Sequence, residues 1–168
     1  MPFDAASQLW RQPDEAFFRD RTFQVRKQAG PHCVSNVLAI LTGQAPETFQ
    51  GRINTQDPTS WSEALRDWGM KLAYCPTDVR KLKHYIPELL KLDDLFTLSY
   101  YTTNDPGEIL GEPKLGGWVT GSHIVILHRR SILDSQAGSV TDALKHPAKD
   151  KYTKRIFRVV PSDHARGL

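Results

Sequence analysis

The sequence predicts an α+β fold, in which helical segments come first and an antiparallel sheet follows. Two observations predict it. Between residues 33 and 92, apolar residues recur mainly at helical spacing. From residue 96 onward, short runs rich in β-branched and aromatic residues alternate with turn residues, which is typical of strands. The length of 168 residues suits one domain, and 39% hydrophobic residues suffice for one core, which excludes general disorder.

Charge and hydropathy exclude several classes of protein. The 22 Lys and Arg residues exceed the 19 Asp and Glu residues by only 3, which is too small a net charge for a dedicated nucleic-acid binder. No apolar run approaches the roughly 20 residues that span a bilayer. Residues 1–11 lack the cationic start and apolar centre of an export signal. We therefore expect a cytoplasmic protein, or one delivered to a host or target cell without a cleaved signal, that binds neither nucleic acid nor membrane.

The first part of the chain predicts a wrapping segment and a buried helix. Residues 1–26 are polar and aromatic, which indicates a segment that lies along the domain, with a short helix near residues 14–19. The run that begins at Cys33 has apolar residues on one helical face and is followed by Gly43, as helix ends often are. Cys33 is therefore predicted in the first turn of a buried helix.

The middle of the chain predicts two more helices and a strand. Residues 60–63 have the spacing of a capping box and predict the start of the second helix, which ends at Gly69. Residues 71–75 predict a short strand. Residues 78–92 predict a third helix, which is bent at Pro87 because proline cannot donate a hydrogen bond inside a helix.

The last part of the chain predicts most of the sheet. Residues 96–101 predict a strand, and residues 102–117 predict a long loop of a kind that often carries function. The basic stretch 145–158 indicates a charged edge strand rather than a nucleic-acid surface. The other predicted strands are residues 118–120, 123–128, 131–134 and 154–160, with a single helical turn at residues 142–145.

Cys33 is the candidate nucleophile. A helix N-terminus stabilises a thiolate through the positive end of the helix dipole, and Cys33 follows a Gly-Pro turn at such a position. Gln28, five residues upstream, could form an oxyanion hole together with the Cys33 backbone N–H. The alternative is that Cys33 is a small buried hydrophobic residue, as free cysteines often are. With only two cysteines in the chain, the other one, Cys75, is interpreted as structural, and a disulfide scaffold is not expected.

His123 and Asp134 are candidates for the base and its orienting acid. A hairpin that turns at Arg129-Arg130 would pair His128 with Ser131. In that register, His123 and Asp134 are diagonal neighbours on one face of the sheet, close enough for a hydrogen bond. A shift of one residue would send them to opposite faces. The alternatives are a core histidine and an ordinary polar strand end.

Four candidate residues follow one another along the chain: Gln28, Cys33, His123 and Asp134. That order resembles the papain-like cysteine peptidase superfamily, and within it the small bacterial branches. Residues 28–38 resemble the nucleophile helix of bacteriocin-processing (double-glycine) peptidases, in which a Gly-Pro-x-Cys step opens the helix. The same stretch is similar to the josephin deubiquitinases, in which a glutamine precedes the cysteine and an asparagine follows it. Further similarity to the double-glycine peptidases lies in residues 60–72, 121–127 and 132–134.

The resemblance implies a papain-like fold, with the nucleophile helix packed on a C-terminal antiparallel sheet. It implies a single thiol hydrolase domain over residues 1–168, with a catalytic core over residues 27–160. The sequence departs from the double-glycine branch at Ala29, where an acidic residue often precedes the Gly-Pro step.

The same resemblance implies a role for each candidate residue. Cys33 is then the nucleophile, and His123 is the general base and acid. Asp134 orients the histidine ring, and Gln28 donates to the oxyanion. These four residues describe a cysteine peptidase, or thiol acyl-transfer hydrolase, that acts on a protein or peptide substrate and needs no cofactor.

Two other functions remain open. Papain-like effectors include protein glutamine deamidases, and a glutamine carboxamide is nearly the same electrophile as a peptide bond, so the triad does not separate the two activities. A non-catalytic binding module of the same fold would keep its biological activity in a Cys33→Ala variant. Substrate contacts are predicted at Trp118, Gly121 and His32, with core packing as the alternative for Trp118 and a surface role for His32. The chain has no metal-ligand spacing, so no metal is expected.

Overall fold

The computed structural model describes residues 9–12, 14–27, 32–110 and 121–168. Its helices are α1 Cys33–Thr42, α2 Pro58–Leu65, α3 Ile86–Leu92 and α4 Pro106–Leu110. Its strands are β1 Met70–Cys75, β2 Leu95–Tyr101, β3 Ser122–His128, β4 Ser131–Asp134, β5 Ser139–Asp142 and β6 Thr153–Pro161. The strands form one antiparallel sheet in the order β1-β6-β2-β3-β4-β5, which confirms the α+β class. No helix in these described ranges has the length and apolar character needed to cross a bilayer.

Helix α1 is confirmed where the sequence predicts it. Its residues from Val34 to Leu41 are all buried, and it packs against β3. It ends at Gly43, whose φ of 74° is left-handed and whose N–H donates to Ala39 O at 2.8 Å. Glycine reaches this conformation without a steric penalty, which is why it terminates helices so often. The packing brings the N-terminus of α1, and with it Cys33, next to the start of β3.

The predicted helix at residues 14–19 is wrong. The backbone N–H groups of Phe17 and Phe18 donate to the Asp94 carboxylate at 2.8 and 2.9 Å instead of forming helical bonds. The Arg158 guanidinium donates to the same carboxylate at 2.7 Å. A charged acceptor makes stronger hydrogen bonds than a backbone carbonyl. The hydrogen bonds to Asp94 therefore decide the conformation of this segment, and its local helix propensity does not.

Helix α2 begins earlier than the capping box at residues 60–63 predicts. Asp57 is the N-cap, and its Oδ1 accepts from the Thr59 N–H at 3.1 Å. Pro58 occupies the first helical position, where its missing N–H costs nothing and its fixed φ suits the helix. A short 3₁₀ turn then ends at Gly69, the predicted stop.

The third predicted helix is shorter than residues 78–92 and is not bent at Pro87. A 3₁₀ turn at Leu82–His84 precedes α3, and Pro87 lies in the first turn of α3, where proline is tolerated. The predicted loop contains α4, and the predicted strand at residues 118–120 lies outside the described residues.

Strand β6 is not at the edge of the sheet, as the basic stretch predicts, but lies between β1 and β2. Arg158 on β6 is fully buried against Asp94, and this ion pair compensates the burial of that cation inside the sheet. Strand β5 is not predicted by the sequence. The predicted turn after it is present, because the N–H groups of Lys145 and His146 both donate to Asp142 O.

Candidate active site

Cys33 is the first residue of α1, and its side chain is partly buried. The sulfur has hydrogen-bond contacts with the His123 side chain and with the backbone of Ile124 and Val34. Burial raises the pKa of the Cys33 thiol, but these contacts and the charge of His123 outweigh it, so the net pKa is below the ordinary value. The Cys33 thiol therefore ionises more readily than the thiol of an ordinary cysteine.

The β3–β4 hairpin has the predicted register. His128 pairs with Ser131, Leu127 with Ile132, and Ile126 with Leu133. The turn is possible because Arg129 adopts a left-handed φ of 57°. The register brings the His123 Nε2 to 3.1 Å from the Asp134 Oδ1, and both side chains are buried.

His123 lies between the thiol and a carboxylate. Its Nε2 faces Asp134, which leaves Nδ1 for the Cys33 sulfur. The ring packs edge-to-face with the Tyr100 ring, and the two ring centroids are 5.7 Å apart. Burial lowers the pKa of His123, but the hydrogen bonds and charges of Asp134 and Cys33 outweigh it and raise the pKa to about 9. The contact between Cys33 and His123 therefore favours a thiolate–imidazolium pair over the two neutral groups.

Both oxygens of Asp134 have hydrogen-bond donors. Oδ1 accepts from His123 Nε2 and from the Gln136 N–H at 3.0 Å, and Oδ2 is 3.0 Å from His146 Nε2. Burial raises the pKa of Asp134, whereas the hydrogen bonds from the two histidines lower it by more, so the carboxyl stays ionised at neutral pH.

His146 is the residue that the sequence analysis missed. Its Nδ1 accepts the Ala148 N–H at 3.0 Å, so in the neutral ring the proton is on Nε2, which donates to Asp134. The polar residue before Pro147 is a sequence signal for an N-cap, which His146 is. No sequence signal shows that its other ring nitrogen reaches Asp134, twelve residues away along the chain.

We expect His146 to hold Asp134 in place. In a His146→Leu variant, one oxygen of a buried carboxylate loses its donor, which should lower the free energy of unfolding by about 1–3 kcal/mol and slow iodoacetamide alkylation of Cys33 at pH 6 by about 10-fold. His146→Gln, whose amide can still donate, should recover most of the alkylation rate. Equal alkylation rates in the wild type and both variants would show that His146 only caps the 3₁₀ turn.

A cleft of about 200 Å³ opens beside the candidate nucleophile. Its described lining consists of Cys33, Val34, Thr55, Gln56, Trp61, Ser99, Gly121, Ser122, His123, Ile124, Lys154 and Arg155. Of the residues predicted to contact substrate, Gly121 lines the cleft. His32 is exposed before α1 and is not part of the described lining. Gln28 and Trp118 lie outside the described residues.

Cys75 provides a contrast to Cys33. It is fully buried in β1, and burial raises the pKa of its thiol to about 12, so it stays protonated at neutral pH. Across the described ranges, no group of three or more His, Cys, Asp or Glu side chains is arranged to hold a metal ion.

In comparisons with known proteins, no family model matches this chain, and no curated protein matches it either.

Proposed function

We propose that this protein is a papain-like cysteine hydrolase that acts on a protein or peptide substrate. The observation that carries the proposal is the hydrogen-bonded series of Cys33, His123 and Asp134 beside an open cleft. Acyl transfer requires a nucleophile, a base that contacts it and a group that orients the base. Cys33, His123 and Asp134 are arranged in that order. A thiol that served only as core packing would have no need of a buried imidazole and carboxylate.

The arrangement of elements supports the papain-like assignment. The helix that bears the thiol packs against β3, which bears the histidine, and the acid lies on the neighbouring strand β4. The helix that contributes the thiol is therefore far along the chain from the β3–β4 hairpin, which contributes the other two residues. This order of elements is the one that the resemblance to small bacterial peptidases implies.

The proposed reaction is acyl transfer through a thioester. The Cys33 thiolate attacks the substrate carbonyl carbon, and the protonated His123 then gives its proton to the departing amine as the C–N bond breaks. His123 next takes a proton from water, whose oxygen attacks the thioester and releases the acid and the Cys33 thiolate, which restores the starting pair. The Cys33 backbone N–H at the start of α1 is one donor for the oxyanion, and Gln28 is proposed as the second.

Alkylation of Cys33 tests the activation of the thiol. At pH 6, iodoacetamide should modify Cys33 about 10- to 100-fold faster than it modifies cysteine in a short unstructured peptide, because the pKa of Cys33 is lowered and that of the peptide cysteine is not. Peptide mass spectrometry locates the modified residue, and Cys75 serves as the internal control. A Cys33 rate equal to that of the free peptide would overturn the proposal.

Incubation with a pool of peptides tests the reaction itself. Mass spectrometry should find new peptide ends that are absent after incubation with the Cys33→Ala variant. If the wild type instead adds about one dalton to glutamine-containing peptides without cleavage, the enzyme is a deamidase that uses the same triad. If the Cys33→Ala protein gives the same products as the wild type, neither activity belongs to this site.

A further inference from the structure

The wall of the cleft formed by β6 carries two consecutive cationic side chains, Lys154 and Arg155. Successive residues of a regular strand point to opposite faces of the sheet. The next two residues obey this rule, since Ile156 and Phe157 pack in different core clusters. Two neighbours that line the same cleft therefore need a local irregularity in the strand.

That irregularity is a β-bulge in β6. Ser99 pairs with Arg155, but the next residue of β2, Tyr100, pairs with Thr153. Lys154 is thus an extra residue with no partner on β2. A bulge interrupts the alternation and re-aims a side chain, and bulges are frequent beside active sites. In β6, the bulge allows the Lys154 side chain to line the same cleft as Arg155 and Cys33.

The two cations have no acidic partner in the described structure. The Lys154 Nζ donates to the Ser122 hydroxyl at 3.2 Å and lies 5.8 Å from the centre of the Tyr101 ring. Among the described residues, neither Lys154 nor Arg155 forms an ion pair, and the lining of the cleft includes no Asp or Glu. Burial and the nearby Arg155 guanidinium lower the pKa of Lys154, and the charge of Cys33 raises it by less, so the net pKa is below the ordinary value.

We propose that Lys154 and Arg155 bind a carboxylate of the substrate, so that the enzyme prefers peptides with an acidic residue next to the residue that Cys33 attacks. A bound carboxylate would neutralise two partly buried cations that form no ion pair with an Asp or Glu of the described residues. This inference deepens the proposed function and depends on it for the identity of the attacking group.

Two alkylating agents of similar size but different charge test the cation pair without a known substrate. Iodoacetate carries a carboxylate, and iodoacetamide is neutral. In a Lys154→Gln/Arg155→Gln variant, alkylation of Cys33 by iodoacetate should slow about 10-fold because two nearby positive charges are lost. Alkylation by iodoacetamide reports any change in the reactivity of the thiol itself, so the ratio of the two rates isolates the effect of the cations on the carboxylate. The matched control is Lys91→Gln, which removes an exposed cation that is not in the described lining of the cleft and should change neither rate.

The outcomes separate this inference from the proposed function. If the ratio of the iodoacetate rate to the iodoacetamide rate is the same in the double variant and the wild type, the proposed carboxylate site is overturned, even when Cys33 is highly reactive. If wild-type Cys33 shows no enhanced reactivity toward iodoacetamide at pH 6, the proposed function fails, whatever the ratio. Single variants, Lys154→Gln and Arg155→Gln, should each lower the ratio about 3-fold and keep the test decisive if the double variant does not fold.

A peptide comparison identifies the source of the carboxylate. Peptides with amidated C-termini that differ only by Glu or Gln beside the attacked residue should differ in kcat/KM, and the double variant should remove that difference. A preference for a free C-terminus over an amidated one would assign the terminal carboxylate to the same cations. If kcat/KM depends neither on Glu against Gln nor on a free against an amidated C-terminus, the proposed carboxylate site is overturned.

Discussion

Replacing His123 with alanine is expected to lower hydrolysis of susceptible peptides at pH 7 by about 10³-fold or more, and Cys33→Ala should abolish it. The hydrogen bond and the charge of His123 lower the pKa of the Cys33 thiol. In the proposed reaction, His123 also carries the proton that the leaving amine needs. Without the ring, the partly buried thiol loses the side-chain partner described here and keeps the backbone contacts at Val34 and Ile124. The pKa of Cys33 should then rise, so alkylation by iodoacetamide at pH 6 should slow as well.

A histidine on the same strand provides the matched control. His128 lies at the other end of β3, where its Nε2 is within hydrogen-bond distance of the backbone carbonyls of Phe18 and Arg19. A His128→Gln variant should keep the alkylation rate of the wild type. If His123→Ala and His128→Gln behave alike, the ring at position 123 does not activate the thiol.

The raised pKa of His123 predicts how hydrolysis decreases at high pH. His123 must be protonated to donate to the leaving group, and its pKa is raised to about 9. Hydrolysis should therefore persist through neutral pH and fall as the pH rises through about 9. Measurement of kcat/KM across this range tests the assignment. A loss of activity near pH 6.5 on the basic side would mean that Asp134 does not support the imidazolium.

Replacing Asp94 with alanine is expected to lower the free energy of unfolding by about 3–5 kcal/mol. Asp94 and Arg158 are both fully buried and form an ion pair at 2.7 Å. The variant would leave the Arg158 guanidinium buried without its carboxylate, and it would also remove the acceptor of the Phe17 and Phe18 N–H groups. Urea denaturation followed by circular dichroism measures the loss.

An exposed ion pair provides the control for this variant. Arg52 and Asp67 are 3.1 Å apart, with about half or more of each side chain exposed. Asp67→Ala should change the free energy of unfolding by less than about 1 kcal/mol because solvent screens the pair. If Asp94→Ala does not fold, Asp94→Asn keeps the shape and removes the charge. A loss below about 1 kcal/mol in a folded Asp94 variant would contradict the role assigned to the buried pair.

Local signals were enough to predict the parts of the site that lie within single elements. Apolar spacing and Gly43 predict α1 and place Cys33 in its first turn, because helix formation depends on neighbours along the chain. A two-residue turn predicts the pairing of β3 with β4, because so short a connection leaves little freedom of register. The contact between His123 and Asp134 follows from that register.

Other features depend on residues that are distant along the chain. Asp94 overrides a predicted helix by accepting from Phe17 and Phe18, which precede it by 77 and 76 residues. The hydrogen bond of His146 to Asp134 exists because the turn after β5 returns to β4.

By itself, the sequence determined the helix that bears Cys33 and the hairpin that aligns His123 with Asp134, since both depend on local spacing. Only the tertiary structure decided that the thiol meets the imidazole and that a bulge turns Lys154 toward the same cleft. The reason is that hydrogen bonds and packing between separate elements depend on how those elements are arranged in space, and spacing within one segment does not encode that arrangement.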